Sequence, residues 1–293
     1  MARQNTPSTH WTDGVCRANG INIHYLRTGG SNKPTIIALH GLAGNGVCWS
    51  PIARALEQHY DIIMPDARGH GQSSAPLHGY TYQDHANDVI ELIRTLGIKS
   101  PYLLGHSMGG MTAAMVASRL GLAVSGVILA DPTFISAERQ AEVYQSQVVA
   151  EHHQMLQSSK EALFKAAKSQ HRFRAAAIIE HLIEARLQTS LQAFDVLIPP
   201  NPEFDELIRN IYVPTLMVLG SEGIVSAQTA RALHRINPDL QYKVIQDAGH
   251  GLPYDEPARL AAAIHAFLKP KTMATPRIKP ASLFSMHAVS YAY

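Results

Sequence analysis

The sequence predicts an α/β fold in which a mostly parallel sheet is covered by helices on both faces. Short, continuous apolar runs alternate with helical stretches through most of the chain, which is typical of parallel strands buried on both sides. The alternation stops between about residues 132 and 212, where the composition is helical throughout, and it resumes at Val213. We therefore expect a helical insertion in an otherwise regular α/β core.

The first element is predicted to be an antiparallel hairpin. Two short alternating segments, at about residues 15–18 and 21–26, flank Asn19-Gly20. Asn-Gly is the strongest two-residue hairpin signal, because both turn positions need a positive φ.

The parallel strands are expected at the continuous apolar runs that follow. These lie at residues 35–39, 61–64, 101–104, 124–130, 214–219 and, more weakly, 242–245. Helices are expected at about 49–58, 81–96, 108–120, 226–236 and 256–268, and within the insertion at about 175–186. We accordingly assign residues 1–131 and 213–268 to the core, 132–212 to the insertion, and the proline-containing residues 269–293 to an irregular C-terminal arm.

The bulk composition narrows the class of protein. The 293 residues carry a formal net charge of only +2 and no basic stripe, which argues against nucleic acid as a partner. The polar N-terminus lacks the apolar core of a signal peptide, and no apolar run is long enough to span a bilayer. Cys16 and Cys48 fit no metal or disulfide pattern, and the histidines show no metal-ligand spacing. We expect a cytoplasmic protein that needs no membrane and no metal or organic cofactor.

The stretch Gly105-His-Ser-Met-Gly109 joins a predicted strand to a predicted helix. A serine at such a corner takes a strained backbone conformation, and the flanking glycines let the strand and the helix pass closely. Its hydroxyl then stands exposed at the sheet edge, beside a helix N-terminus that favours negative charge. This setting predicts that Ser107 is a nucleophile rather than an inert turn residue.

A serine nucleophile needs a base, and that base needs a partner. His250 is the best candidate because it lies in a loop between the last strand and the last helix. Five other histidines lie on presumed helices and are expected to be mostly solvated, namely His152, His153, His171, His181 and His234. Asp131 and Glu222 compete as the third member. Each follows a predicted strand whose end should open onto the same sheet edge, so both stay open, with Asp131 preferred.

An oxyanion hole needs backbone donors beside the nucleophile. The glycine-rich loop after the first parallel strand, His40-Gly-Leu-Ala-Gly44, could aim one N–H group there, and the residue after Ser107 could supply another. We predict the N–H groups of Leu42 and Met108 as the two donors.

With these motifs in place, the chain resembles the α/β-hydrolase fold family. The markers are His40-Gly-Leu42, the segment from Asp66 to Ser73, the Ser107 corner and Ala248-Gly-His250, in the family's order. The resemblance implies an eight-stranded, mostly parallel sheet, a helical cap inserted after strand 6, and a triad of Ser107, an acid and His250. It also implies that residues 66–73 form a structural turn. Gly223 stands where the family usually carries its acid, and some members carry it after strand 6, where Asp131 stands.

These observations lead to a serine hydrolase that cleaves a small or medium carboxylic ester through an acyl-enzyme on Ser107. A lactone, amide, thioester or carbon–carbon bond, or a haloperoxidase-like reaction, would use the same residues, and a ligand receptor on a hydrolase scaffold is the non-enzymatic alternative. The oligomeric state is not predicted. Apolar residues of the cap and its surroundings are expected to line the substrate pocket, namely Trp49, Phe134, Met155 and Phe173.

Overall fold

The computed structural model describes residues 11–30, 32–172 and 174–269, and the predicted C-terminal arm at 270–293 lies outside them. Eight strands form one sheet in the order β1-β2-β4-β3-β5-β6-β7-β8. They are β1 (Thr12–Ala18), β2 (Ile21–Arg27), β3 (Thr35–Leu39), β4 (Asp61–Pro65), β5 (Tyr102–His106), β6 (Gly126–Ala130), β7 (Thr215–Glu222) and β8 (Leu240–Gly249). β1 and β2 pair antiparallel, as do β2 and β4, and every later pairing is parallel. The predicted fold class is confirmed.

The predicted hairpin is confirmed at Asn19-Gly20, where φ is +47° and +79°. These paired positive values are the ones that a tight turn between two right-twisted strands requires.

The helices connect successive parallel strands and cover both faces of the sheet. They are α1 (Ser50–Leu56), α2 (Tyr82–Thr95), α3 (Met108–Leu120), α4 (Ala137–Gln145), α5 (Val148–Leu156), α6 (Lys160–Gln170), α7 (Ala176–Leu187), α8 (Phe204–Arg209), α9 (Ala227–Ile236), α10 (Leu252–Asp255) and α11 (Pro257–Leu268). Short 3₁₀ segments add Gly46–Trp49, Gly121–Ala123 and Leu191–Leu197. Within the described residues, no helix is both long and apolar enough to cross a membrane.

The two faces of the sheet explain why the strands are continuously apolar. Along β3, Ile37 and Leu39 pack into one buried cluster with α2, α3 and α9, whereas Ile36 and Ala38 pack into a second cluster with α1 and α11. Because successive side chains point to opposite faces, a strand that is covered on both sides must be apolar at every position.

The helices α4 to α8 lie between β6 and β7, where the strand alternation stops. The last of them, α8, packs on α3 and α9, and Asn237 donates to the carbonyl oxygens of Ile208 and Ile211. The chain has therefore rejoined the core's packing by α8, ahead of the predicted boundary at 213.

β8 is longer than the weak apolar run at 242–245 indicated. It is the edge strand, and several of its side chains face solvent, so its hydrophobic signal is diluted. Pairing with β7 extends as far as Gly249 and delivers His250 to the carboxyl edge of the sheet.

Candidate active site

The corner at Ser107 has the strained geometry that the motif predicts. Ser107 lies between β5 and α3 with φ of +55° and ψ of −119°, outside the regions that non-glycine residues favour. A Cβ atom on Gly105 would overlap the carbonyl oxygen of Gly109, and one on Gly109 would overlap that of Leu39. Both glycines are needed because the strands and the helix approach each other more closely than any side chain allows.

The structure brings three of the predicted residues into one hydrogen-bonded chain. The Ser107 Oγ atom lies 3.0 Å from His250 Nε2, and His250 Nδ1 lies 2.7 Å from Asp131 Oδ2. Asp131 is completely buried, whereas Ser107 and His250 are partly exposed. The arrangement orients the imidazole so that Nε2 can accept the serine proton.

Asp131 is held in place from the neighbouring strand end. Its Oδ2 accepts the N–H of Ile224 at 2.9 Å and its Oδ1 accepts that of Val225 at 3.3 Å. A Cβ atom on Gly223 would lie 2.6 Å from both carboxylate oxygens. The carboxylate from β6 thus occupies the space that a side chain at position 223 would need.

Glu222 does not join this group. Its side chain is exposed and borders a separate surface depression with Asp247, and the hydrogen-bond partner of His250 Nδ1 is Asp131. The β7–β8 pairing is irregular between Gly220 and Glu222. Of the two candidate acids, the geometry supports Asp131.

His106, which precedes Ser107 in the chain, also contacts the His250 loop. Burial lowers its pKa to about 3, so the ring is neutral at physiological pH. Its Nε2 donates to the backbone oxygen of His250 at 2.8 Å, and the two rings lie 4.8 Å apart. His106 therefore ties the β8–α10 loop to the nucleophile corner.

The loop after β3 lies directly against Ser107. A Cβ atom on Gly41 would be 3.1 Å from that of Ser107. His40 donates from Nδ1 to the Gly41 oxygen, and its Nε2 accepts the Ala67 N–H, which fixes the start of the loop. Among the described residues, the N–H groups of Leu42 and Met108 have no acceptor. They remain the predicted oxyanion donors.

Two cavities meet at Ser107. The first, of about 390 Å³, also contains His250 and is called the His250 cavity; Leu42, Ile183, Phe194 and Tyr254 contribute to its walls. The second, of about 170 Å³, also contains Thr133 and is called the Thr133 cavity; its walls include Met108, Val143, Leu197 and Ile224. A substrate whose carbonyl reaches Ser107 therefore has room for one substituent in each cavity.

The predicted pocket residues lie mostly elsewhere. Trp49 is buried in the core on the sheet face that α1 and α11 cover, so its assignment to the pocket is wrong. Phe134 is also misassigned, because it stacks on Phe204 within the core at a ring distance of 5.2 Å. Met155 is partly buried on α5 and borders neither cavity. Phe173 lies outside the described residues.

Sequence reasoning missed two cationic residues in the His250 cavity, Arg174 and Arg186. The spacing of residues along α7 could have identified Arg186. Ile179, Ile183 and Arg186 fall at i, i+4 and i+7 of α7, so the arginine continues the apolar, cavity-facing stripe of that helix.

Comparison with known proteins gives consistent matches. The model of the alpha/beta hydrolase fold family matches residues 34–171. An N-formylmaleamate deformylase of Pseudomonas putida is 28% identical over 269 residues, which cover 89% of this chain and 98% of the relative. A 2-(acetamidomethylene)succinate hydrolase of Mesorhizobium japonicum is 27% identical over 253 residues, covering 80% and 88%. The crystal structure of an E-2-(acetamidomethylene)succinate hydrolase aligns with a TM-score of 0.76 at 25% identity, covering 88% of this chain and 99% of that one.

Proposed function

We propose that this chain, which belongs to the α/β-hydrolase fold family, is a serine hydrolase that cleaves a small or medium carboxylic ester through an acyl-enzyme on Ser107. The observation that carries the proposal is the unbroken relay from Asp131 through His250 to Ser107, with distances of 2.7 Å and 3.0 Å. A relay of this kind raises the nucleophilicity of a serine that is otherwise inert at neutral pH.

The first half of the reaction forms the acyl-enzyme. Ser107 Oγ attacks the ester carbonyl carbon while its proton passes to His250 Nε2, and Asp131 stabilises the resulting imidazolium. The carbonyl oxygen becomes an alkoxide that the N–H groups of Leu42 and Met108 stabilise. The intermediate collapses by breaking the bond to the alcohol oxygen, which leaves with the proton from His250.

The second half returns the enzyme to its starting state. Water attacks the acyl carbon, gives one proton to His250 and displaces Ser107 Oγ, which takes that proton back. Over both halves, one ester and one water molecule are converted into a carboxylic acid and an alcohol.

An amide is the second candidate substrate, and the names of two relatives favour it. One is called a deformylase of N-formylmaleamate and the other a hydrolase of 2-(acetamidomethylene)succinate, both of which carry an acyl group on nitrogen. The same relay serves an amide, because His250 Nε2 can protonate a leaving nitrogen as it can a leaving oxygen.

The test uses p-nitrophenyl acyl esters of increasing chain length with wild type, Ser107→Ala and His250→Ala. We expect each variant to lose about 10³-fold or more of kcat/KM, as triad members act as a unit. Ser125→Ala is the matched control, because its hydroxyl bonds to the Ser100 oxygen and lies outside both cavities. A Ser107→Ala protein that retains wild-type activity would disprove the nucleophile assignment.

Acetanilide and phenyl acetate compare the two substrate classes with the same acyl group. Hydrolysis of the anilide that is lost in Ser107→Ala supports the amide candidate. Turnover of the phenyl ester alone supports the ester.

A further inference from the structure

The charges around the His250 cavity are unbalanced. Its lining includes the guanidinium groups of Arg174 and Arg186, and within the described part of the chain the lining contains no carboxylate. A substrate that enters this cavity therefore meets positive charge close to the reacting serine.

Arg174 is already neutralised by the protein. Its Nε and Nη2 atoms donate to the two carboxylate oxygens of Asp255 at 2.8 Å each, and the group lies over the Tyr254 ring. Such a two-pronged pair leaves little free charge for a ligand, so Arg174 serves mainly to hold α10 against the cap.

Arg186, which is exposed, has no such partner among the described residues. None of the ion pairs or side-chain hydrogen bonds among the described residues involves its guanidinium group, whereas the nearby Glu184 is engaged by Lys160 and Gln188. Its place on the cavity-facing stripe with Ile179 and Ile183 directs it to the cavity that contains Ser107. A guanidinium group can donate two parallel hydrogen bonds to a carboxylate and balances its single negative charge.

The position of His250 decides which part of the substrate carries this carboxylate. His250 Nε2 must return its proton to the leaving group, so the leaving group must lie on the His250 side of the serine. His250 borders the same cavity as Arg186 and does not border the Thr133 cavity.

The Thr133 cavity suits the acyl group. It is the smaller of the two, and its walls are mainly apolar. A cationic residue in its lining, Arg139, is exposed and is paired with Glu142 at 2.8 Å. The buried side chain of Gln140 in its lining is satisfied internally, since it donates to the Ile135 oxygen and accepts the Asn201 N–H. Such a cavity favours a short, uncharged acyl chain.

We propose that Arg186 is a specificity residue that binds a carboxylate on the leaving-group side of the substrate. The preferred substrates are then short-chain acyl derivatives of an alcohol or amine that itself bears a carboxylate. This inference rests on the proposed function, because it assigns the two halves of the substrate around Ser107.

The test compares 4-acetoxybenzoate with methyl 4-acetoxybenzoate, which share the acyl group and differ in the charge of the leaving group. We expect wild type to prefer the charged ester by about 10-fold in kcat/KM, which corresponds to about 1.4 kcal/mol. Arg186→Gln should abolish that preference, mainly by raising KM for the charged ester. Arg186→Lys, which keeps the charge and loses the fork, should retain part of it.

Arg209→Gln is the matched control. Arg209 is exposed on α8, forms no ion pair among the described residues and borders neither cavity. We expect it to keep the full preference. Monophenyl adipate and phenyl hexanoate test the orientation, because here the charge is on the acyl side. If Arg186→Gln impairs turnover of monophenyl adipate and spares 4-acetoxybenzoate, the assigned orientation is overturned.

A binding measurement separates the two levels of inference. The thermal stability of Ser107→Ala should rise with 4-hydroxybenzoate and rise less with its methyl ester, and adding Arg186→Gln should remove the difference. Serine-dependent hydrolysis without a charge preference would overturn this inference alone. Charge-selective binding without serine-dependent hydrolysis of any ester or amide would overturn the proposed function while supporting the carboxylate site.

Discussion

Replacing Asp131 with asparagine should lower kcat/KM by about 10⁴-fold, because the proton of the His250 imidazole then lies on Nε2 instead of Nδ1. In the native chain the carboxylate accepts from His250 Nδ1 at 2.7 Å, so Nε2 is a bare lone pair facing Ser107 at 3.0 Å. An asparagine whose oxygen stays on the Val225 N–H would place its NH₂ group at the Oδ2 position, where it faces His250 Nδ1 and loses the bond from the Ile224 N–H. Nδ1 must then accept, and Nε2 carries a proton and cannot take one from the serine.

The expected loss corresponds to about 5 kcal/mol of transition-state stabilisation, at 1.36 kcal/mol for each factor of ten. It is measured as kcat/KM on the best ester of the panel, with circular dichroism and thermal unfolding to show that the variant folds. Glu222→Gln is the control and should stay within about twofold, because Glu222 is exposed and outside the relay. A folded Asp131→Asn protein within tenfold of wild type, or a larger loss from Glu222→Gln, would refute the assignment of the acid.

A second pair of variants tests whether a carboxylate at position 223 can take the place of the Asp131 carboxylate beside His250. Gly223→Asp alone should impair the enzyme, since the added Cβ would lie 2.6 Å from both Asp131 oxygens. Combined with Asp131→Ala, it should recover at least tenfold of the activity that Asp131→Ala loses, because the new carboxylate then fills the vacated site beside His250. A folded double variant that is no more active than Asp131→Ala would show that the two positions cannot serve the same imidazole.

Three further outcomes follow from the packing. Gly105→Ala should unfold the protein or lower its melting temperature by many degrees. Gly249→Ala is its control and should change the melting temperature little, because a Cβ atom there would meet nothing within 4 Å. Equal melting temperatures of the two variants would contradict the close approach of strand and helix at the Ser107 corner. Trp49→Leu should reduce the free energy of unfolding in urea by about 1–3 kcal/mol and leave KM unchanged, because Trp49 packs in the core and not in the pocket. A raised KM with wild-type stability would show instead that Trp49 lines the substrate pocket. The free energy of unfolding should also fall as the pH drops from 7.5 to 5.5, because burial lowers the pKa of five histidines in the folded chain. Below about pH 6.5 each of them takes up a proton on unfolding, which costs up to about 1.4 kcal/mol of stability per histidine and pH unit. A melting temperature that is flat or rises as the pH drops over this interval would contradict this expectation. The five histidines are His40, His70, His85, His106 and His152.

The fold was largely predictable because its signals are local. Continuous apolar runs mark strands that are covered on both faces, and Asn19-Gly20 marks a turn that few other residue pairs can form. The corner at Ser107 was predictable for the same reason, since Gly105 and Gly109 leave a visible pattern within five residues.

The site's second half was less predictable because it depends on contacts between distant segments. Asp131 follows β6 and Glu222 is the last residue of the adjacent strand β7, and nothing in their sequence neighbours decides which reaches His250. His152, expected to be solvated on its helix, is completely buried and contacts the Thr189 oxygen at 3.0 Å and the Phe194 ring. That burial comes from how the cap helices pack together, which the composition of α5 does not reveal.

The sequence by itself determined the α/β core, the helical insertion and the strained serine corner, because each follows from hydrophobic periodicity or from glycines within a few residues. Only the tertiary structure decided which carboxylate lies beside His250, which residues surround Ser107, and that Arg186 borders the His250 cavity with no acidic partner among the described residues. The physical reason is that charge pairing and cavity shape depend on side chains brought together from strand ends and helices far apart in the chain, and no local pattern encodes their distances.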